Sequence, residues 1–538
     1  MSSLSRRNLL AGTAGGVLAS VIGGHSLAFG QGAGATPKRG GTLTATWGGF
    51  EPQSLFVPPG GGSSPYFTST KVHERLLRLN NDLGFEPVLA LEVTAAEDFM
   101  SYIIKLRPNV TWHDGKPFTA DDVVFNALNY WKTISAGVAL KALVGAEAVD
   151  ATTVRLAFDA AVPDFFLKSI LAGKSGLVIP RHLYDGRDIL TNPVNNAPVG
   201  TGPFKVKEWV RGSHVEFSRN ERYWDPQLPY LDRLVIRWWR DPASRSAAFE
   251  AGQLDIGVFN PTPAPDIKRL DATGRFDSTT KGYDNSAWVS TIEFNSRRDI
   301  VKRAEVRRAI NHAIDRSFIA ETIFFGLAKP AAGPIPSSNK LFFNKDVPVY
   351  PFDVRKAGQL LDAAGFPVRN GSRFKLNVVA AGWFEENVKL GQYVKQALED
   401  IDITVDLAIP DRATSLKRIY TDYDYDIALS NNSGAVELVP QWTQFTTSDG
   451  ILKGAAFRNA NGYSNPKVDD IVARLSVEID PKKRVALAHE LQVVIATDVP
   501  WTSLVEIESV TVASADVRGH SQFADFMGES WGNVWLDR

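Results

Sequence analysis

The chain contains no cysteine. Disulfides, thiolate metal sites, a cysteine nucleophile and the acceptor of a lipid anchor are excluded with it. Neither sign of charge is in excess: 59 basic against 60 acidic residues leave a formal net charge of -1. Both signs are interspersed, so neither a nucleic acid nor an anionic membrane is expected as a partner. Long apolar runs are missing too. The best candidate, roughly Leu9 to Ile22, is interrupted by Gly12, Gly15 and Gly16 and is shorter than the ~20 apolar residues that span a bilayer.

Catalytic signatures are also absent. No G-x-S-x-G elbow occurs. In "AGKSG" the position that should carry the first glycine of a phosphate loop is Lys168. "HERLL" and "HELQV" have Leu77 and Val493 where a zinc-protease helix has its second histidine. The eight histidines show no ligand spacing. No catalytic residue, metal site or cofactor is therefore expected, and the protein is read as a non-enzyme. A secreted hydrolase remains the alternative, because the paired carboxylates of a glycosidase meet only in three dimensions.

What is present is ordinary globular material, 44 % hydrophobic and 22 % charged. At 538 residues the chain exceeds one core, and roughly 100 to 200 residues per domain gives about three packed units. The N-terminus carries Arg6 and Arg7 inside S-R-R-x-L-L, then a mildly apolar stretch with no charged residue from Asn8 to Pro37. Residues 1–35 read as a twin-arginine export signal with a small-residue cleavage site near Ala28. A soluble periplasmic protein is expected.

The stretch "VTWHDGKPFTADDVVFNALNYW" (110–131) gathers a histidine and three aspartates, and raises the question of an acid/base centre. Upstream, "SYIIKLRP" alternates Tyr102, Ile104 and Leu106 against polar neighbours, as a half-buried strand does. Asp114-Gly115 then supplies a turn. Thr119 and Asp122 form a variant capping box, and Asp121 and Asp122 suit the positive end of the helix dipole. Val123, Val124, Ala127, Leu128 and Trp131 follow as a core stripe. Every acid has a structural role, and His113 reads as packed rather than basic.

Beyond it, "GTLTATWGG", "TTVRLAF", "FKVKEWV" and "LVIRWWR" read as strands. "EVRRAINHAIDRSFIAETIFFG" reads as a helix with Val306, Ile310, Ala313, Ile314 and Ile323 inside and Gly326 as its stop. "FDVRKAGQLLDAAGF" repeats that logic, with Asp353 as N-cap. "FKLNVVAAGW" and "YDYDIALSNN" are strands ending in small or amide residues, and ligands of α/β sheets gather at such C-terminal ends.

Several stretches together resemble the family 5 extracytoplasmic solute-binding proteins of ABC importers, the dipeptide, oligopeptide and nickel type. They are "GGTLTATWG", "LRPNVTWHDGKPFTADDVVF", "GTGPFKVKEWVRGSHVEFSRNERYW", "EFNSRRDIVKRAEVRRAINHAIDR", "FDVRKAGQLLDAAGF" and "YSNPKVDDIVARL", in family order from about residue 39 to beyond 500. The resemblance implies an α/β, two-lobed periplasmic-binding-protein fold with a two-strand hinge. Residues 36–292 would form a large lobe with an extra subdomain, 293–499 a small lobe, and 500–538 a return to the large lobe. It implies a monomer that captures a peptide or peptide-like solute between its lobes and delivers it to a permease and ATPase at the inner membrane.

Peptide-binding relatives clamp the ligand's α-amine with an aspartate after the strand matching "DIALSNN". Here Ala435 stands at that place and Glu437 is the nearest acid. A buried ammonium lacking a carboxylate costs several kcal/mol. Either Glu437 takes the role, or the solute has no free amine there, as with an oligosaccharide or opine. Asn431, Asn432, Ser433 and Gln441 are candidates to bond hydroxyls or amides, and Trp383 and Trp442 to stack on the solute. On the large lobe, Trp47, Ser64 and Tyr66 lie in stretches that match cleft-facing loops of relatives.

Overall fold

Strand pairing divides the chain in two. A computed structural model of the protein describes residues 36–538 except 49–50, 57–62, 138, 240, 383–384 and 435. The leader expected over 1–35 lies outside the described residues.

One seven-stranded sheet runs in the order Phe276–Thr279, Thr511–Ser514, Ile256–Val258, Thr42–Trp47, Arg233–Arg237, His214–Arg219 and Phe204–Val210. Its centre is parallel, with Thr42–Trp47 pairing in parallel with both Arg233–Arg237 and Ile256–Val258. The alternation read from "GTLTATWGG" places Leu43, Ala45 and Trp47 in one apolar cluster with Phe217, Ile236 and Trp531.

A six-stranded sheet follows the order Ala328–Pro330, Trp501–Ile507, Trp288–Phe294, Ile427–Ser433, Phe374–Ala380 and Ile403–Ala408. The chain moves from the first sheet to the second between Thr279 and Trp288, and returns between Ile507 and Thr511. These two crossings are the hinge of a two-lobed α/β protein. They differ from the 292/293 and 499/500 limits carried over from the resemblance. Trp288–Phe294 and Trp501–Ile507 pair antiparallel with each other inside the small-lobe sheet, and an alternating pattern alone does not say which sheet a strand joins.

The extra subdomain is a four-stranded antiparallel sheet, Ala90–Ala95, Ser101–Leu106, Thr153–Phe158 and Leu143–Asp150 in that order. The 110–131 stretch packs beside it as scaffold. Asp122 Oδ2 accepts from Thr119 N at 3.0 Å and Trp112 Nε1 at 3.3 Å, and its Oδ1 accepts from Arg181 N at 3.0 Å. His113 Nε2 faces the Gly202 carbonyl at 2.9 Å, and its Nδ1 accepts from Gly200 N at 3.3 Å. Burial pushes that imidazole down to about 4, so it is a neutral structural group. Gly200 is required for this approach: a Cβ there would lie 1.9 Å from the Val72 carbonyl oxygen. The helix Ala120–Phe125 continues as a π-helix over Asn126–Ser135. Val123, Ala127 and Trp131 are buried as expected, and the widened turns add Phe125 and Tyr130.

In the small lobe, Asp353 caps Val354–Ala363 through Lys356 N at 2.9 Å. The helix read as continuous to Ile323 is broken at Asp315, whose carboxylate accepts from Ser317 N and Phe318 N at 2.9 and 3.1 Å and starts a new helix. The two lobes touch: Val436 of the small lobe shares an apolar cluster with Leu79 and Ala524 of the large one.

Candidate functional site

The parallel strands Thr42–Trp47 and Ile256–Val258 end side by side, and the residues at their C-terminal ends stack. The rings of Trp47 and Phe259 are 4.8 Å apart, and Phe259 meets the edge of Trp288 at 5.1 Å. Trp288 opens the first small-lobe strand and pairs with Ser433, the end of Ile427–Ser433. The strand ends of both lobes therefore converge at the hinge, where an α/β architecture places ligands. Phe259 and Asn260 both hold left-handed backbone, φ +61° and +52°. Asn260 is fixed there by bonding Val510 of the returning chain through both backbone and side chain, at 3.0 and 2.7 Å.

The large-lobe candidates divide. Trp47 is 5 % exposed, lies between Phe67 and Phe259, and its indole N–H has no partner among the described residues. Ser64 and Tyr66 are buried in the helix Ser63–Ser69. The Tyr66 hydroxyl donates to Asp525 in a short contact and accepts from Arg75 Nη1 at 2.8 Å, while Arg75 reaches Asp525 at 3.0 Å. That charged triad ties the helix to the C-terminal segment and leaves the phenol no free role. Trp383 lies outside the described residues.

In the small lobe, strand alternation separates neighbours. Asn431 Oδ1 accepts from Ser290 Oγ at 2.9 Å, whereas Asn432 turns to the opposite face and donates to Thr291 Oγ1 at 3.0 Å and Glu293 Oε1 at 3.4 Å. Ser433 ends the strand, and Gln441 sits within the helix Val439–Phe445. Glu437, the acid nearest Ala435, is 4 % exposed and receives both Arg484 Nη2 contacts, at 3.0 and 2.9 Å. It also accepts from Val439 N at 3.1 Å. Its charge is already matched within the lobe, so it does not replace the missing clamp.

Asn432 and Trp442 instead share a cavity of about 40 Å³ with Thr291, Glu293, Thr446 and Trp501. Trp442 and Trp501 meet edge to face at 5.9 Å. Glu293 is 8 % exposed and, among the described residues, accepts only from neutral donors, Ser430 Oγ at 3.0 Å and Asn432. Burial pushes its carboxyl up, and those two hydrogen bonds offset part of that. Thr446 Oγ1 and Trp501 Nε1 are buried without partners among the described residues. A second cavity, about 260 Å³, shares Pro334 and Trp501 with the first and runs past Asp315, Arg316 and Phe352.

Sequence reading missed Glu293, Thr291, Thr446 and Trp501. The one signal for Glu293 was an acid set between Ile292 and Phe294 in an otherwise apolar strand. Among the described residues, Glu208, His214 and Glu216 could converge on a metal. Arg233 and Lys207 already bond Glu216, holding its carboxyl well below the usual range.

Comparison with known proteins agrees with this architecture. The chain is 25 % identical over 463 residues to the glutathione-binding protein GsiB of Shigella flexneri, covering 83 % of this chain and 85 % of that one. The structure of the ABC transporter substrate-binding protein CtaP from Listeria monocytogenes superposes with a TM-score of 0.80 at 25 % identity, covering 93 % of this chain and all of that one. MoaA of A. tumefacien R10, in complex with mannopinic acid, has the same fold, with a TM-score of 0.79 at 24 % identity over 93 % and 100 % of the two chains. The family described as "Bacterial extracellular solute-binding proteins, family 5 Middle" matches residues 84–450. The chain thus belongs to the family 5 bacterial extracellular solute-binding proteins, the substrate-binding components of ABC importers.

Proposed function

We propose that the protein captures a peptide or peptide-like solute between its lobes in the periplasm and releases it unchanged to an inner-membrane permease driven by an ATPase. The observation that carries this reading is the convergence of strand ends at Trp47, Phe259, Trp288 and Ser433 on a two-strand hinge. Closing lobes over a solute excludes water, strengthens each hydrogen bond to it and presents the permease with one closed shape. The similarity to a binder of glutathione, itself a tripeptide, supports the solute class.

The Arg6-Arg7 leader supports export through the twin-arginine route with removal of residues 1–35. The absence of cysteine rules out a lipid-anchored form. The protein acts as a monomer, holding the solute through Asn432 and Trp442 of the small lobe, with Asn431, Ser433, Gln441 and Trp383 as further candidates and Trp47 at the large-lobe edge.

Ala435 favours a second reading with the same fold, an oligosaccharide or opine that lacks an α-amine at that point. Calorimetry of the mature protein against dipeptides, tripeptides, galacto-oligosaccharides and opines separates the two. Micromolar binding of sugars with no response to peptides would overturn the first. Trp383→Ala is expected to weaken solute binding at least about tenfold, or 1.4 kcal/mol, with the fold intact; unchanged affinity removes it from the site.

A further inference from the structure

Among the described residues Glu293 has no opposite charge. Its hydrogen-bond donors are the neutral Ser430 and Asn432, and the titratable neighbours are the hydroxyls of Tyr420 and Tyr425. The cation near Tyr425, Arg297, is engaged elsewhere: it donates to the Ala460 carbonyl at 2.8 Å and lies over the Tyr423 ring. A buried carboxylate without a partner is costly, and this one stands in a cavity rather than in packed core.

The rest of the lining suits a cation. Thr446 Oγ1 is a buried acceptor without a partner among the described residues, and Trp442 and Trp501 line the space, where an aromatic ring can attract a cation. Trp501 lines both cavities, so its N–H is assigned to neither. At about 40 Å³ the space holds about three water-sized groups. That is room for an ammonium nitrogen with one or two carbons, the end of a solute rather than its whole. Val289, Asn432 and Gly434 of the lining adjoin Trp288 and Ser433, where the lobes converge.

We propose that this small-lobe cavity is a receptor for a primary ammonium group, with Glu293 as its counter-ion, Thr446 Oγ1 as a second acceptor and the two tryptophans as walls. Such a group comes either from one end of the captured solute or from free ammonium. The first source rests on the solute-binding reading above. In that case the solute class narrows to amine-bearing molecules, whose amine is bound here and not beside Ala435.

The test is thermal unfolding of the mature protein in methylammonium chloride and, at equal ionic strength, in tetramethylammonium chloride, which is bulkier and has no N–H to donate. Methylammonium is expected to raise the midpoint in a saturable way and tetramethylammonium to leave it unchanged, with the difference abolished in Glu293→Gln. Equal responses to the two salts, no response, or a response retained in Glu293→Gln would overturn the proposal. The source is read from the solute that co-purifies. An affinity lowered at least about tenfold by Glu293→Gln assigns the ammonium to the solute, and an unchanged affinity with loss of the methylammonium effect assigns the cavity to free ammonium. A neutral solute bound alike by both proteins, without a methylammonium effect, defeats this proposal and leaves the solute-binding reading standing. A methylammonium effect without any solute binding does the reverse.

Discussion

Glu437 and Glu293 are both small-lobe glutamates, 4 % and 8 % exposed, yet their surroundings are opposite. Glu437 is held by the Arg484 guanidinium and a backbone amide. Glu293 accepts from one hydroxyl and one amide and faces a cavity. A buried acid whose charge is answered inside the fold is structure, whereas one left unanswered beside open space is available to something the fold does not supply.

The sharpest way to break this contrast is to remove the cation from the answered site. Arg484→Met is expected to destabilise the protein by about 3 to 5 kcal/mol, because it strands a buried charge; urea unfolding measures it. Adding Glu437→Leu should recover most of that loss. A small effect of Arg484→Met alone would mean that the pair is not the structural unit described.

Glu293→Gln should act in the other direction. Burial raises the folded-state pKa of this carboxyl above its unfolded value. The folded protein therefore holds the proton to higher pH, and stability falls as pH rises from the unfolded value through the folded one. The tyrosines facing it, Tyr420 and Tyr425, are shifted upward from 10 and do not titrate in that window. The variant is expected to be more stable than the parent at pH 8 by about 1 kcal/mol, the scale of one poorly matched buried polar group, with a smaller margin at pH 5. Urea unfolding at both values checks it. A loss comparable to that of Arg484→Met would show that Glu293 has a structural partner after all.

The smallest effect belongs to Thr446→Val. Removing a buried hydroxyl that has no partner among the described residues should raise solute-free stability by about 0.5 kcal/mol while reducing the methylammonium response. A clear destabilisation would mean the hydroxyl is bonded within the fold.

Local structure was largely legible in the sequence. The Thr119 and Asp122 capping pair, the Asp353 cap and the alternation of Leu43, Ala45 and Trp47 depend on residues close in the chain, and each appears where the pattern places it. The break at Asp315 was missed because an apolar stripe continues on both sides of it. The hinge limits shifted because sheet membership is decided by distant partners, as when Trp288–Phe294 pairs with Trp501–Ile507. The same reason governs the site. Glu437 looked available because Arg484 is 47 residues away in sequence, and Tyr66 looked available because Asp525 is 459 away. Glu293 went unnoticed because only folding shows that no cation among the described residues reaches it.

The central claim is that a solute is gripped and passed on unaltered. Native mass spectrometry of the protein purified from its native host, before and after prolonged incubation with the co-purifying solute in excess, tests it most directly. A one-to-one complex whose ligand is recovered at its original mass is expected. Steady conversion of the solute into a product of different mass would contradict it.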